Sequence, residues 1–374
     1  MTTSAATQEG SVTALFDPLK VGQMEIRNRI AVAPMTRVSA TEDGRATARM
    51  SDYYSVFAEG GFGLVITEGL YTDQAFSQGY HFQPGLSDEA QLDSWKRIVE
   101  RVHGEGARFI AQLMHAGALS QGNRFRGDTR GPSAVQPVGQ QMTFYRGEGE
   151  YPLPLEMTKA EIDEAIAGFA TAAMRAREAG FDGVEIHGAN GYLLDQFLTE
   201  GVNLRSDDYG GRAPERLRLT LETAEAVRAA VGPDFTIGVR SSQGKVNDFA
   251  HKWRGEEEAA EIFSLLGQLP IDYVHTTEFE AWKPAFADGL SLAALAKRHS
   301  GLPVLANGSL HHPRRATELV ADHEIDVVTL GRGALTHADW PQRVSQGRGL
   351  CEFDRRILAP FADLDNADRI AALG

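Results

Sequence analysis

The stretch TKAEIDEAIAGFATAAMRAREAGFDGVEIHG, residues 158–188, joins an amphipathic helical pattern to the short β-branched run GVEIHG (183–188). The switch from helical spacing to a compact apolar run marks a helix feeding a strand. Working outward, the same pair recurs along the chain. Strand candidates are IAVAPM (30–35), GLVITEG (63–69), RFIAQLMH (108–115), GVEIHG, TIGVRS (236–241), YVHTT (273–277), VLANGS (304–309) and VVTLGR (327–332). Helical patterns follow each of them: ATARMSDYYSVFAE, DEAQLDSWKRIVERVHGEG, TKAEIDEAIAGFATAAMRAREAG, ERLRLTLETAEAVRAAVG, EEEAAEIFSLLGQL, LSLAALAKRH, HPRRATELVADHE and ADWPQRVSQG. Eight strand–helix units in chain order predict an α/β fold, a closed (β/α)8 TIM barrel forming a single domain.

In such a barrel the strand C-terminal ends and the loops after them form the active face. The connection after the third strand, 116–157, is far longer than usual and rich in Gly, Pro and Arg, which predicts a capping insertion or lid. The segment 189–213 is the second long connection on that face. Residues 1–15 are expected to be a loose N-terminal arm, 16–348 the barrel, and 349–374 a tail packed on it.

Composition narrows the classes. The chain has 37 basic and 51 acidic residues, a net charge of −14, which opposes attraction to phosphate backbones and argues against nucleic acid as a partner. No apolar run approaches the roughly 18 residues a bilayer span needs. The opening MTTSAATQEGSVTAL lacks the basic start and apolar core of a secretory signal. A cytoplasmic protein without membrane attachment is the expectation, with monomer and homodimer both left open. The single cysteine, Cys351, can form no internal disulfide and cannot alone hold an iron–sulfur cluster. Redox chemistry therefore needs an organic cofactor.

Polar and small residues collect at the strand ends: Thr36 and Arg37, Gly69, Gln112 and His115, His187 and Asn190, Arg240, His275, Asn307 and Gly308, Gly331 and Arg332. The turns ANGSL and GRGAL, after strands seven and eight, offer backbone N–H groups to a phosphate, and Arg332 adds a permanent charge. Gln112 and Arg240 suit the polar edge of a flat heterocycle, Gln by offering donor and acceptor, Arg by holding negative charge that appears on reduction. Arg240 could equally neutralise an acidic residue in the barrel mouth. His187 and Asn190, three apart on a turn, can point N–H groups at one carbonyl oxygen, polarising an attached C=C. Tyr192 carries a phenolic proton able to reach the near carbon, or else packs with its hydroxyl on the backbone.

These motifs resemble the Old Yellow Enzyme family of FMN-dependent NAD(P)H:flavin oxidoreductases, or ene-reductases. The similarity runs from LFDPLKVGQMEIRNRIAVAPMTR to DVVTLGRGALTHADWP, and its most diagnostic block is GFDGVEIHGANGYLLDQFLTEGVNLRSDDYGG, with AQLMHAG and LGR in the expected order. The resemblance implies tightly bound FMN with NAD(P)H as reductant. It puts Ala33, Pro34, Met35 and Thr36 along the flavin, Gly69 beside it, Gln112 and Arg240 at its pyrimidine edge, and Asn307, Gly308, Gly331 and Arg332 on its phosphate. His187 and Asn190 match the family's carbonyl-binding pair and Tyr192 its usual proton donor. Asn203, Arg205, Asp207, Tyr209, Gly210 and Gly211 form its NxRxDxYGG turn, read as scaffold. The implied reaction is ping-pong: hydride passes from NAD(P)H to flavin N5, then to the β-carbon of an activated alkene, while Tyr192 protonates the α-carbon.

The chain departs from the family around the substrate. Met114 stands where many members carry Trp in a QLWH block, and Ala118 follows the HAG where the thermophilic-like branch commonly has Arg; Thr36 and the HxxN spacing resemble the other main branch. SSQGKVNDFAHKW replaces a short Ser-Pro turn after strand five. With Met114, the lid and Trp282, it is expected to shape the substrate pocket. Two rivals remain: the same flavin site working as a dehydrogenase or double-bond isomerase, and, remotely, a metal-dependent hydrolase using His115, His187 and His275.

Overall fold

The computed structural model of the protein describes residues 12–373. Its central sheet consists of β1 (Ile30–Val32), β2 (Leu64–Ile66), β3 (Arg108–Met114), β4 (Gly183–Asn190), β5 (Thr236–Lys245), β6 (Tyr273–Thr277), β7 (Val304–Asn307) and β8 (Val327–Leu330). Each strand pairs in parallel with the next, and β8 returns to β1 with Val328 opposite Ile30. The sheet therefore closes on itself as the expected (β/α)8 barrel, which leaves no edge open to another chain.

The helix between β3 and β4 shows why the sequence folds this way. Thr158 and Glu161 form a reciprocal capping box at the start of Lys159–Ala179, which stabilises the helix by about 1 kcal/mol. Ile162, Ala165, Phe169, Ala172, Ala173 and Ala176 recur on one face and are buried against the barrel. Gly180, at φ +95°, ends the helix in the left-handed conformation that glycine adopts without strain. Asp182 then accepts the Phe109 N–H at 2.8 Å and sets the start of β4 beside β3.

Two cores result. One lies between the strands and the outer helices. The other fills the barrel interior with Ala31, Leu64, Ile66, Ile110, Tyr273, Leu305 and Val327, closed from below by Val21, Met24 and Ile26 of the hairpin Leu19–Val21/Met24–Ile26. Large and small residues alternate there: a Cβ at Gly238 would lie 2.0 Å from the Tyr273 ring opposite it.

Three local expectations are corrected. Of the arm expected to be loose, residues 1–11 lie outside the described residues, but Val12–Phe16 is a 3-10 helix with Leu15 fully buried, because its apolar side chains find the outer core. The eighth strand stops at Leu330, short of the end of the expected VVTLGR, because Gly331 caps an additional short helix, Arg332–Thr336, ahead of the expected one, found at Trp340–Ser345 with Pro341 in its first turn. β5 runs on to Lys245, beyond the expected TIGVRS, because Lys245 pairs across to Asn190 after a register shift. Among the described residues no helix is long and apolar enough to cross a membrane.

Candidate active site

In-register neighbours in a parallel sheet share a face, and residues two apart along a strand do too. Gln112 on β3 lies opposite Glu185 on β4, and His187, Arg240 and His275 form one row across β4, β5 and β6. The barrel register therefore sends all five side chains inward near the C-terminal ends of the strands. There a cleft of about 690 Å³ opens, lined by thirteen of the residues expected at the site: Pro34, Met35, Thr36, Gln112, Met114, His187, Asn190, Tyr192, Arg240, Asn307, Gly308, Gly331 and Arg332.

Three others are elsewhere. Ala33 is buried in the wall, its N–H on Leu330 O at 3.0 Å. Gly69 does not line the cleft but leaves room for Met114, whose Sδ would lie 2.5 Å from a Cβ there. Trp282 is outside the cleft: it packs on the outer core with the Arg315 guanidinium 3.7 Å over its ring. An arginine on a neighbouring helix covers the indole face that the sequence left free.

Glu185 organises the barrel floor. Burial pushes its carboxyl up, but His275, Arg240 and the Gln112 hydrogen bond outweigh this and hold it down to about 2. As an acceptor it takes Gln112 Nε2–H at 2.8 Å, Tyr273 O–H at 3.1 Å and His275 Nδ1 at 2.8 Å. This fixes Gln112 with an N–H committed to the floor and its carbonyl oxygen free. Arg240 is different: it is buried, its Nε has no hydrogen-bond partner, and among the described residues it forms no ion pair within 4.0 Å. Arg240 therefore acts on the Glu185 carboxylate through its charge, without a direct ion pair, and its Nε keeps an unused donor.

The turn after β4 is held in an unusual backbone. Asn190 has φ +62° and Gly191 φ +86°, two consecutive left-handed residues. Ser242 Oγ accepts the Asn190 N–H at 2.8 Å, and Asp195 Oδ2 accepts the Gly191 N–H at 2.7 Å. Asp195 is in turn bonded at 2.5 Å to Lys245 Nζ, both side chains being buried. Burial and the nearby Arg240 hold His187 well below its ordinary pKa, so it is neutral. Its Nδ1 accepts the Ala189 N–H at 3.3 Å, which leaves the ring proton on Nε2. Tyr192 packs edge-on against that ring, 4.9 Å between centroids.

At the other end of the cleft, Asn307 donates to Thr329 O at 2.9 Å and accepts from Thr277 Oγ1 at 3.1 Å. Gly308, at φ +148°, brings its backbone so near Glu278 O that a Cβ would lie 2.4 Å away. Gly331 caps the helix carrying Arg332, whose Nη2 donates to Ser309 Oγ at 3.0 Å beside the cleft mouth. The first N–H groups of a helix have no acceptor within it. Neutral donors, a free cation and close backbone approach thus face one elongated space.

The sequence profile of the NADH:flavin oxidoreductase / NADH oxidase family matches residues 14–350. The chain belongs to this family, the Old Yellow Enzymes. Its members bind FMN and use NAD(P)H as reductant. Over 361 residues the chain is 38% identical to 12-oxophytodienoate reductase 7 of Oryza sativa subsp. japonica, covering 91% of this chain and 90% of that protein. Over 343 residues it is 33% identical to the NADH oxidase of Thermoanaerobacter brockii, covering 89% of this chain but 51% of that protein, so it spans about half of that relative. The old yellow enzyme homologue from Zymomonas mobilis superposes with a TM-score of 0.85 at 29% identity, covering 94% of this chain and 98% of that one.

The residues present fit the family's flavin. A buried Nε–H without a partner asks for an acceptor, and the Arg240 side chain has a cleft in front of it. The free Gln112 carbonyl offers an acceptor to an imide N–H. Asn307, Gly308, Gly331 and Arg332 offer donors to a phosphate. The three histidines of the hydrolase reading do not converge: His115 accepts the Gly117 N–H at 3.1 Å away from the cleft, and His275 is bonded to Glu185 and Thr329. Among the described residues no three metal-binding side chains come together.

Several residues of this Old Yellow Enzyme site were not singled out in the sequence, although two of the segments that carry them were expected at the pocket. Glu68, raised to about 7 by burial, accepts the Arg37 and Val38 N–H groups at 2.8 and 3.2 Å and holds the segment after Thr36 in place. Tyr145, from the 3-10 turn Thr143–Tyr145 of the long insertion, lines the cleft beside Thr36; burial pushes its phenol up to about 12. Val246 and Phe249 bring the insertion after β5 to the cleft, Phe249 as an exposed aromatic at its rim. The sequence signal for Tyr145, Val246 and Phe249 was the length and composition of the two loops that carry them; Glu68, next to Gly69 at a strand end, had none.

Proposed function

We propose that the protein is an ene-reductase that uses NAD(P)H to reduce the C=C of an α,β-unsaturated carbonyl compound or a related activated alkene. The observation that carries this reading is the neutral His187, its free Nε2–H placed beside Asn190 and Tyr192 at the cleft wall. FMN, when bound, would supply the hydride exchange between NAD(P)H and the alkene β-carbon. Arg240 and Gln112 would hold its pyrimidine edge, and Arg240 would stabilise negative charge gained on reduction. Asn307, Gly308, Gly331 and Arg332 would hold its phosphate.

His187 and Asn190 grip the substrate oxygen. Their two N–H donors stabilise the enolate-like charge that grows there as hydride arrives at the β-carbon. A neutral imidazole suits this task because it donates a hydrogen bond without giving up a proton. Tyr192 keeps its proton at neutral pH, since burial pushes its phenol up, and delivers it to the α-carbon. Met114, Tyr145 and Phe249 bound the space left for the rest of the alkene.

Turnover of a cyclic enone with NAD(P)H, followed by product analysis, tests the reading. The saturated ketone is the expected product, in amounts equal to the NAD(P)H consumed. A shifted double bond formed without NAD(P)H consumption identifies an isomerase on the same site and contradicts the proposal.

A further inference from the structure

A second phenol stands directly behind Tyr192. Tyr80 is fully buried, does not line the cleft, and its hydroxyl shares a hydrogen bond with that of Tyr192. It is carried by the loop after β2, where Gln83 Oε1 accepts the Gly79 and Tyr80 N–H groups at 2.7 and 3.3 Å while Gln83 Nε2 donates to Gly69 O at 2.7 Å. Gln78 Nε2 donates to Tyr80 O at 3.1 Å, and the Tyr145 ring lies 4.7 Å from the Tyr80 ring. Both faces of this loop are therefore fixed, and the hydroxyl is aimed at one atom.

A phenol donates one hydrogen bond and accepts others. If Tyr192 is to give its proton to a substrate in the cleft, its O–H must point there, and the shared bond behind it then has only one possible donor, Tyr80. We infer that Tyr80 is a positioning residue for alkene reduction, its hydroxyl donating to Tyr192 Oη so as to aim the Tyr192 proton at the cleft and to stabilise the oxygen after that proton leaves. The inference rests on Tyr192 being the proton donor, as proposed above.

The step balances without a further reactant. The Tyr192 O–H bond breaks, a C–H bond forms at the alkene α-carbon, and the negative charge stays on Oη until a proton from water restores the phenol after product departure. A hydrogen bond to a phenolate is about twice as strong as one to a phenol. Its contribution therefore grows as the proton moves, which accelerates the step instead of only tightening binding. The surroundings magnify this: Tyr80, Tyr192 and Met114 share one buried apolar cluster, whose low local dielectric strengthens the bond.

Tyr80→Phe keeps the ring and removes the hydroxyl. Rapid mixing of the NAD(P)H-reduced holoenzyme with a cyclic enone is expected to show a limiting rate roughly 10- to 100-fold below wild type, the loss of one charge-assisted hydrogen bond. Enone affinity and the rate of reduction by NAD(P)H should stay at wild-type values. Replacing Tyr80 by 3-fluorotyrosine or 3,5-difluorotyrosine, progressively better donors, should restore the rate in order of their acidity, a trend a packing role cannot produce. In a Tyr192→Phe background, Tyr80→Phe should cost nothing more. A wild-type rate for Tyr80→Phe, equal losses in both half-reactions, or no ordering among the fluorinated proteins overturns the inference. If Tyr192→Phe itself reduces enones at the wild-type rate, the failure lies in the assignment of Tyr192 as donor.

Discussion

Replacing Tyr192 by Phe is expected to slow transfer to the alkene by roughly 10²- to 10⁴-fold, the range of a positioned general acid, while reduction by NAD(P)H proceeds at close to the wild-type rate. The asymmetry follows from where the proton is needed. Taking hydride from a nicotinamide requires no acid, whereas closing the saturated product requires a proton at the α-carbon. Tyr192 lines the cleft, packs against the His187 ring, and is held protonated by its burial. Stopped-flow measurement of each half-reaction checks this directly. Equal loss in both would show that Tyr192 is a packing residue.

The double substitution His187→Ala, Asn190→Ala is the second large effect. Each donor to a developing oxyanion is worth roughly 10²- to 10³-fold, and the pair acts on one oxygen, so the combined loss should exceed either single loss. The same protein should lose the long-wavelength charge-transfer band that bound phenols give with oxidised flavin, because the phenol oxygen would have no donors. Persistence of that band would place the anion elsewhere. His187 is neutral well below its ordinary titration range, so phenol affinity should show no histidine step as pH falls from neutral toward 5.

What was legible in the sequence was what repeats or clusters locally. Eight apolar runs followed by helical patterns gave the barrel because each strand is short, buried on both faces and separated by a helix. His187, Asn190 and Tyr192 were legible because one turn carries all three. Arg240 was legible as a strand-end cation, but its place near Glu185 without a direct ion pair depends on the barrel register, which only closure of the sheet fixes.

The failures have physical causes of the same kind. Trp282 looked like a pocket wall because a large aromatic follows a strand end, yet a guanidinium 33 residues further along the chain stacks on it. Gly69 looked like space beside a ligand, and it is space, but Met114 from the next strand takes it. Tyr80, Tyr145, Glu68 and Lys245 act on the site through contacts with residues 31 to 112 positions away, and no local pattern announces such contacts. Leu15, where the family likeness begins, was assigned to the loose arm because so short an apolar stretch after a polar one carries no period.

The central claim is that this Old Yellow Enzyme cleft passes electrons from NAD(P)H to an activated alkene held by His187 and Asn190. Its most direct test is to reduce the yellow holoenzyme with NAD(P)H in the absence of oxygen, mix it with a panel of enones, maleimides and nitroalkenes, and follow the flavin absorbance. The expected result is return of the oxidised spectrum with a rate that saturates in alkene, and formation of the saturated product. A flavin that stays reduced against the whole panel, yet is reoxidised by oxygen, would contradict the account.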